Sequence, residues 1–187
     1  RVATFDIEVE MTSEQPNPAL GNNEVTSIAI YDDYTERYRV FILDKRGIVK
    51  ERTYENKQII PCPTEKELLL KFLSYWNYLK PTIATGWYID GFDVPYLFNR
   101  IKRVLGETVA SRLSPIGEYY YNQYKGKYIF AGVTFLDYIS MYKKYEGSQS
   151  ASYSLDSIAT KELGRTKVKW DDVASNLDDL METDIDK

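Results

Sequence analysis

The stretch that decides the fold is residues 1–10, RVATFDIEVE. Its β-branched and aromatic residues predict a strand, and successive side chains of a strand point to opposite faces. Asp6 and Glu8 therefore share one face, roughly 7 Å apart at ~3.3 Å of rise per residue. Apolar side chains fill the other face, so we expect that face to lie on a core.

The acid pair has no structural use on such a strand. Two like charges on an otherwise apolar strand repel each other and lose hydration. A divalent cation removes both costs, and hard carboxylate oxygens suit Mg²⁺ or Mn²⁺. Asp6 and Glu8 are therefore predicted metal ligands. The alternative is an edge strand whose two acids face water, because Asp-x-Glu is a common sequence.

Composition limits the chemistry. The 187 residues are 43% hydrophobic and 14% aromatic, which predicts a folded domain. There is no histidine, and Cys62 is the only cysteine, which excludes Ser-His-Asp and Cys-His triads and cysteine-based zinc sites. Catalysis would have to use carboxylates, tyrosine, lysine or metal-bound water. The net charge of −4 argues against a protein that coats duplex nucleic acid.

No apolar run reaches the ~20 residues of a membrane span, and no secretion signal is visible. We therefore expect a cytoplasmic protein without a membrane partner. The rest of the chain alternates strand and helix patterns, which predicts a mixed α/β sheet covered by helices. The predicted strands are residues 24–31, 36–43 and 82–86, and the predicted helices follow the capping box Thr64/Glu67, span 93–105 and span 154–163. Residues 44–54 are charged and ambiguous.

A second informative segment is residues 85–100, TGWYIDGFDVPYLFNR. A strand ends near Gly86, a turn follows, and Asp93 opens a helix as its predicted N-cap. Capping and metal binding are compatible, since one carboxylate oxygen can cap while the other faces an ion. Tyr88 and Phe92 lie beside this acid. Core packing is the default role of such aromatics, and stacking on unpaired bases is the sharper alternative.

Residues 116–135 predict a β-hairpin that turns near Lys125. Alternation places Tyr119 and Tyr121 on one face and Tyr120 on the other, so one core cannot bury all three. Together with Tyr124 near the turn, they predict a protruding, mobile ribbon suited to stacking on bases. The alternative is a hairpin whose tyrosines pack against neighbouring helices.

Three blocks carry a family resemblance: FDIEVE, then GWYIDGFDVPYLFNRI, then TFLDYISMYKKY followed by SYSLDSIA. In this order they resemble the proofreading exonuclease domain of bacteriophage-type family B DNA polymerases, over nearly the whole chain. The resemblance implies a ribonuclease-H-like fold with a mixed, roughly five-stranded sheet flanked by helices. It also implies 3′→5′ removal of nucleotides from a primer end, with two divalent ions held by four carboxylates.

The resemblance carries over residue by residue. Asp6 and Glu8 match the two carboxylates of the first strand, and Asp93 matches that of the second motif. Lys167 matches a lysine that reaches toward the scissile phosphate, although a solvated loop lysine is an equal alternative. The family resemblance also implies that Lys143 and Lys144 contact nucleic acid. In the polymerases that the chain resembles, a β-hairpin at this position helps to separate the primer end from the template.

The chain departs from the family pattern twice. Tyr88 stands where the family usually has an asparagine that helps to hold the substrate end. The third motif, Tyr-x-x-x-Asp, does not occur after Lys167. We therefore expect residues 1–187 to be a single exonuclease-like domain, part of a longer polymerase and ending before that motif, with little activity by itself.

The expected partners are single-stranded DNA or a primer 3′ end, and polymerase domains of the same chain, in a monomer. Two alternatives stay open. One is a stand-alone exonuclease of the same fold, and the other is a non-catalytic module that binds single strands or acts as a scaffold.

Overall fold

The chain folds as a mixed α/β protein in the computed structural model, which describes residues 1–146 and 152–166. The strands of these ranges are β1 (Val2–Val9), β2 (Val25–Asp32), β3 (Arg37–Leu43), β4 (Arg52–Tyr54), β5 (Lys57–Cys62), β6 (Ile83–Gly86), β7 (Tyr119–Asn122), β8 (Lys127–Phe130) and β9 (Thr134–Asp137). The helices are α1 (Glu65–Leu79), α2 (Asp93–Leu105), α3 (Glu107–Ala110), α4 (Tyr138–Tyr145) and α5 (Leu155–Leu163), with a 3₁₀ turn at Ser111–Leu113.

The main sheet has the strand order β4-β5-β3-β2-β1-β6-β9 within the described residues. Strand β1 is central, antiparallel to β2 and parallel to β6, and β9 continues the parallel edge beside β6. The mixed sheet is confirmed: β1, β2, β3 and β6 match the predicted strands, whereas β9 was not predicted as a strand of this sheet. Strands β5 and β4 widen it to seven. Strand β4 lies in the charged segment that the sequence left ambiguous, and β5 follows that segment. The pairing of β5 with β3 and of β4 with β5 overrides weak local preference.

Helix α1 forms one side of the core. It begins after Thr64, whose Oγ1 accepts a bond from the amide of Glu67 at 3.2 Å. The apolar side chains predicted for its inner face are all buried: Leu68, Leu69, Phe72, Trp76 and Leu79. The ring of Phe5 on β1 packs edge-on against Trp76, with centroids 6.0 Å apart. The apolar face of β1 therefore lies on α1, as its alternation predicts.

Strands β7 and β8 form the predicted hairpin as a separate two-stranded sheet. The prediction extended it too far, since Thr134 and Phe135 belong to β9 of the main sheet. Gly132, at φ +87°, forms the turn between the two sheets, and a Cβ there would lie 2.5 Å from Pro115 Cγ. Only glycine fits this close turn, so the hairpin ends before it.

The chain divides into two compact units, Arg1–Met141 and Tyr142–Lys187. In the described part of the second unit, α5 begins after Ser154, whose Oγ accepts from the amide of Ser157, and ends at Gly164. Lys161 forms an ion pair with Glu146 at 3.0 Å. A single domain over all 187 residues stays a prediction.

In the two described ranges, none of the helices combines the length and apolar character that a membrane crossing requires.

Candidate active site

The candidate site lies at the carboxyl ends of β1, β6 and β9, which are mutually parallel and so end at the same edge. Phe5 and Ile7 are buried while Asp6 and Glu8 are exposed, as the alternation predicts. The register between β1 and β2 shifts between Glu8 and Val9. Irregularities of this kind re-aim side chains and are frequent beside active sites.

Asp93 reaches β1 from the start of α2. Strand β6 pairs with β1 only as far as Thr4, so the backbone beyond it has no strand partner on that side. Oδ1 of Asp93 accepts the amide of Ile7 at 3.1 Å. Asp93 is the first helical residue and Phe92 takes the cap position, so the prediction of Asp93 as N-cap is wrong. Its carboxylate bonds to the strand because the acid faces the sheet instead of the helix amides.

Gly86 allows this approach. A Cβ at Gly86 would lie 2.6 Å from the carbonyl oxygen of Phe5. Any other residue would push β6 away from β1 and move the turn that carries Asp93. The glycine at the end of the predicted strand therefore has a steric reason.

The electrostatics of Asp93 are unfavourable without a counterion. Burial, followed by the negative charge of Asp6, raises the pKa of the Asp93 carboxyl to about 7, while the amide of Ile7 acts in the opposite direction. Glu8 adds a smaller repulsion. The edge thus gathers carboxylates whose charge a divalent cation would neutralise, and oxygen donors are those that Mg²⁺ and Mn²⁺ prefer.

The side chains do not yet form a coordination shell. Among residues 1–146 and 152–166, no group of three or more cysteine, aspartate or glutamate side chains is arranged to hold an ion. The chemistry of the donors fits a divalent cation, and Asp6 and Glu8 are exposed to solvent. Asp93 is already held in place by the strand.

Asp137 is a site residue that the sequence reasoning missed. It lies at the end of β9, is buried, and its two oxygens accept the amides of Tyr88 at 3.0 Å and Asp90 at 3.2 Å. A third bond comes from the amide of Ile139 at 3.0 Å. Asp137 therefore fixes the turn that leads into Asp93. The sequence feature that could have identified Asp137 is an acid at the end of an apolar strand.

Comparisons with known proteins identify the family of the chain. The model of the DNA polymerase family B exonuclease domain matches residues 1–158. The chain belongs to this family. It is 37% identical to the DNA-directed DNA polymerase of Escherichia phage RB69 over 95% of its length, and 34% identical to that of Enterobacteria phage T4 over 91%.

A more distant relative is DNA polymerase 1 of Sulfurisphaera ohwakuensis, 28% identical over 95% of the chain. The chain spans 23% and 22% of the lengths of the two phage polymerases. Exonuclease domains of this family generally use divalent metals.

Tyr88 is an exposed aromatic residue of the exonuclease domain in the turn that precedes Asp93. Its backbone is left-handed at φ +64°, a conformation that asparagine tolerates better than tyrosine. The bond from its amide to Asp137 holds it there. The Tyr88 ring lies over Gly91, where a Cβ would meet its Cζ at 2.3 Å, and 54% of the residue is exposed. Phe92 is half-buried and stacks on Tyr96, with centroids 5.3 Å apart.

The tyrosines of the hairpin divide into two groups. The Tyr119 ring packs on Phe98 with centroids 4.6 Å apart, and its hydroxyl donates to Glu107. Tyr119 is thus part of the packing that was considered as the alternative. Tyr121 and Tyr124 are exposed. Tyr120 is exposed as well, so these three rings, unlike that of Tyr119, are accessible to a ligand.

An ion pair joins the hairpin to the turn before Asp93. Lys127 at the start of β8 pairs with Oδ2 of Asp90, and both side chains are mostly buried. Oδ1 of Asp90 is buried and has no hydrogen-bond partner among the described residues. Burial raises the pKa of Asp90, and Lys127 opposes the increase. Nothing in the local sequence marked this pair.

Lys143 and Lys144 lie in the last turn of α4. The Nζ atom of Lys143 is 4.6 Å from the ring centroid of Tyr153, and that of Lys144 is 5.3 Å from Tyr145. Lys167 lies outside the described residues.

Proposed function

We propose that the chain is the proofreading 3′→5′ exonuclease domain of a DNA-directed DNA polymerase, which hydrolyses the terminal phosphodiester of a primer 3′ end. The observation that carries the proposal is the buried Asp93 carboxylate, which bonds to the amide of Ile7 between Asp6 and Glu8. Membership of the family supports it.

In this proposal Asp6, Glu8 and Asp93 are the residues that hold Mg²⁺ or Mn²⁺, two ions in the intact enzyme. When bound, such ions activate water and stabilise the leaving 3′ oxygen. The amide of Ile7 orients Asp93, and Asp137 orients the turn before it. Phosphodiester hydrolysis relies on this kind of positioning and charge stabilisation, and no imidazole is needed.

The DNA end would meet the aromatic side chains around this edge. The exposed ring of Tyr88 is suited to stack on the terminal base, with Phe92 supporting it from the packed side. Tyr121 and Tyr124 would contact the strand as it leaves the template, with Tyr119 anchoring them. Lys143, Lys144 and Lys167 are proposed phosphate contacts.

The proposed setting is a monomer in which this domain is covalently part of a longer polymerase. Its partners are single-stranded DNA and the polymerase domains of the same chain. A cytoplasmic location, that of the host cell if the gene is viral, belongs to the same proposal.

The test measures release of nucleotides from a 3′-labelled single strand with Mg²⁺, in the polymerase that contains this domain. Asp6→Ala and Asp93→Asn should each slow release at least about a thousandfold. Glu10→Gln is the matched control, because it removes an exposed acid just beyond Glu8. It should change the rate by less than about twofold. An Asp93→Asn variant that retains a tenth of the activity would contradict the proposal.

A second candidate is a non-catalytic module that binds single strands. A carboxylate missing from the polymerase that contains the chain, and not merely from residues 1–187, would favour this module. The 187-residue chain and the polymerase that contains it distinguish the alternatives. Activity only in the polymerase supports the proofreading domain, and robust activity of the 187-residue chain supports a stand-alone exonuclease. Binding without cleavage in both supports the module.

A further inference from the structure

A groove of about 420 Å³ lies between α1 and the neighbouring strands β3 and β5. Its volume is within the range of about 300–1,000 Å³ that is typical of small-molecule sites. Neither β1 nor the turn before Asp93 contributes to its lining. The groove is therefore separate from the candidate active site.

Helical spacing builds one wall of the groove. Lys71, Ser74, Tyr75 and Tyr78 lie three or four residues apart on α1, so they form one stripe beside its buried face. Arg39 on β3 forms the opposite wall. These side chains combine cations, a hydroxyl and aromatic rings, whereas a groove that serves only as core packing would be apolar.

Arg39 is prepared to bind an anion. Its guanidinium carbon lies 3.9 Å from the ring centroid of Tyr75, so the planar group is stacked and held. Over the described ranges 1–146 and 152–166, Arg39 takes part in no ion pair. A stacked guanidinium keeps its N–H edge available, and that edge matches two oxygens of a phosphate.

Tyr78 supplies an open aromatic surface beside this cation. Its ring stacks on Tyr75 with centroids 6.1 Å apart and an interplanar angle of 22°, and 72% of the residue is exposed. An exposed tyrosine ring stacks on a nucleobase whatever the sequence. Arg39, Tyr75 and Tyr78 therefore present a cation and a π-face in one groove.

The other polar groups have supporting roles. Lys71 pairs with Glu67 at 2.8 Å and donates to the carbonyl of Pro61, so most of its charge is already compensated. Ser74 adds a hydroxyl that can donate to phosphate. The net attraction for an anion therefore comes from Arg39.

We propose that this groove binds a nucleotide unit, with the phosphate on Arg39 and the base stacked on Tyr78. An acidic peptide would satisfy Arg39 but would leave the exposed ring of Tyr78 without a flat partner. The unit belongs either to a single strand that crosses this face or to a free nucleotide. The proposal does not depend on the carboxylate site.

The test is fluorescence anisotropy of a labelled oligothymidylate with the 187-residue chain in EDTA, so that no cleavage occurs. Arg39→Gln and Tyr78→Ala should each weaken binding at least about fivefold, as expected for the loss of one phosphate or stacking contact. The matched controls are Arg103→Gln and Tyr54→Ala, which change an exposed arginine on α2 and an exposed tyrosine on β4. They should change the dissociation constant by less than about twofold.

Competition identifies the source of the nucleotide. Displacement by thymidine monophosphate at an equal concentration of nucleotide units assigns the groove to free nucleotides, and displacement only by oligonucleotide assigns it to a strand. Binding in EDTA involves no cleavage, so this result is separate from the fate of the proposed exonuclease activity.

Two results would overturn the proposal. One is unchanged binding by both Arg39→Gln and Tyr78→Ala, provided that circular dichroism shows both variants folded. The other is displacement of the oligonucleotide by polyglutamate as effectively as by oligothymidylate, which would assign the groove to an acidic protein segment. Arg39→Lys keeps the charge and the strand intact, and its intermediate affinity would locate the loss in the planar phosphate contact.

Discussion

Helix α2 carries one buried acid, Asp93, in its first turn, and its Arg100 binds a second buried acid, Glu65 of α1. The electrostatic environments of these two acids are opposite. Asp93 accepts a hydrogen bond from the amide of Ile7, but burial and the negative charges of neighbouring carboxylates raise its pKa to about 7. Glu65 is also buried, yet Arg100 bonds both of its oxygens at 2.7 Å and the amide of Val25 adds a third bond at 2.8 Å. One acid is compensated by the protein and the other is not.

The compensated pair has a structural task. The remaining guanidinium nitrogen of Arg100 donates to the carbonyl oxygens of Gly21 at 3.1 Å and Asn22 at 2.9 Å. A Cβ at Gly21 would lie 2.6 Å from the amide nitrogen of Arg100, so the loop between β1 and β2 touches the helix backbone. A charge that supports the fold is fully bonded, whereas a charge left without compensation marks a place for a ligand.

Removing Arg100 should have the largest effect on stability. Arg100→Met leaves Glu65 buried without a cation and frees the loop, so the free energy of unfolding should fall by about 3–5 kcal/mol. Urea denaturation of the 187-residue chain measures this. Adding Glu65→Gln to Arg100→Met should recover part of the loss, because the orphaned charge disappears. A loss below about 1 kcal/mol for Arg100→Met would contradict the structural role.

Removing the charge of Asp93 should instead raise the free energy of unfolding at pH values where this carboxyl is ionised. The unfolded chain releases this proton near its usual pKa of about 4, whereas the folded chain keeps it to about 7. The folded state therefore loses stability as pH rises from 4 to 7, and this loss is complete above 7. Asp93→Asn should raise the free energy of unfolding at pH 8 by at most about 4 kcal/mol and leave it unchanged at pH 3.5.

Urea denaturation across this pH range, in EDTA, measures the difference between Asp93→Asn and the unchanged chain. A variant that is equally destabilised at all pH values would show that the carboxylate is a packing element. Glu10→Gln serves again as control, since it removes an acid that is exposed.

A divalent cation should offset the repulsion at Asp93 that destabilises the folded chain. Millimolar Mg²⁺ or Mn²⁺ should stabilise the unchanged chain by about 1–3 kcal/mol relative to EDTA, because only the folded state gathers the carboxylates. Asp93→Asn should lose this gain, while Arg100→Met should keep it. Thermal unfolding with and without the metal measures the effect. Equal stabilisation of the Asp93→Asn variant would place the cation elsewhere.

The smallest expected effect tests the link between the hairpin and the site. Lys127→Met removes the partner of Asp90 and should cost about 1 kcal/mol of stability. In the polymerase that contains the domain, it should slow excision from a paired primer end severalfold and spare digestion of single strands. Lys125→Met, in the exposed turn, is the matched control. Equal losses on both substrates would mean that the pair supports only the fold.

Local sequence patterns were enough to predict most helices and strands and the face of β1 that carries Asp6 and Glu8. Strand periodicity placed Asp6 and Glu8 on one face, and the helix predicted over residues 93–105 has the observed bounds of α2, although Phe92 and not Asp93 is its cap. The ordered motifs indicated the family that the comparisons show. These inferences succeed because each depends on residues a few positions apart, where helix and strand geometry dictate the outcome.

The tertiary structure alone decided how the acids are held. Asp93 and Ile7 are 86 residues apart, and Asp137 and Tyr88 are 49 apart. The ion pairs Asp90–Lys127 and Glu65–Arg100, and the stack of Arg39 on Tyr75, likewise join distant segments. No periodicity encodes such pairs, because strand order and helix packing select the partners only after the chain has collapsed. The same order determines which buried charge finds a counterion and which does not.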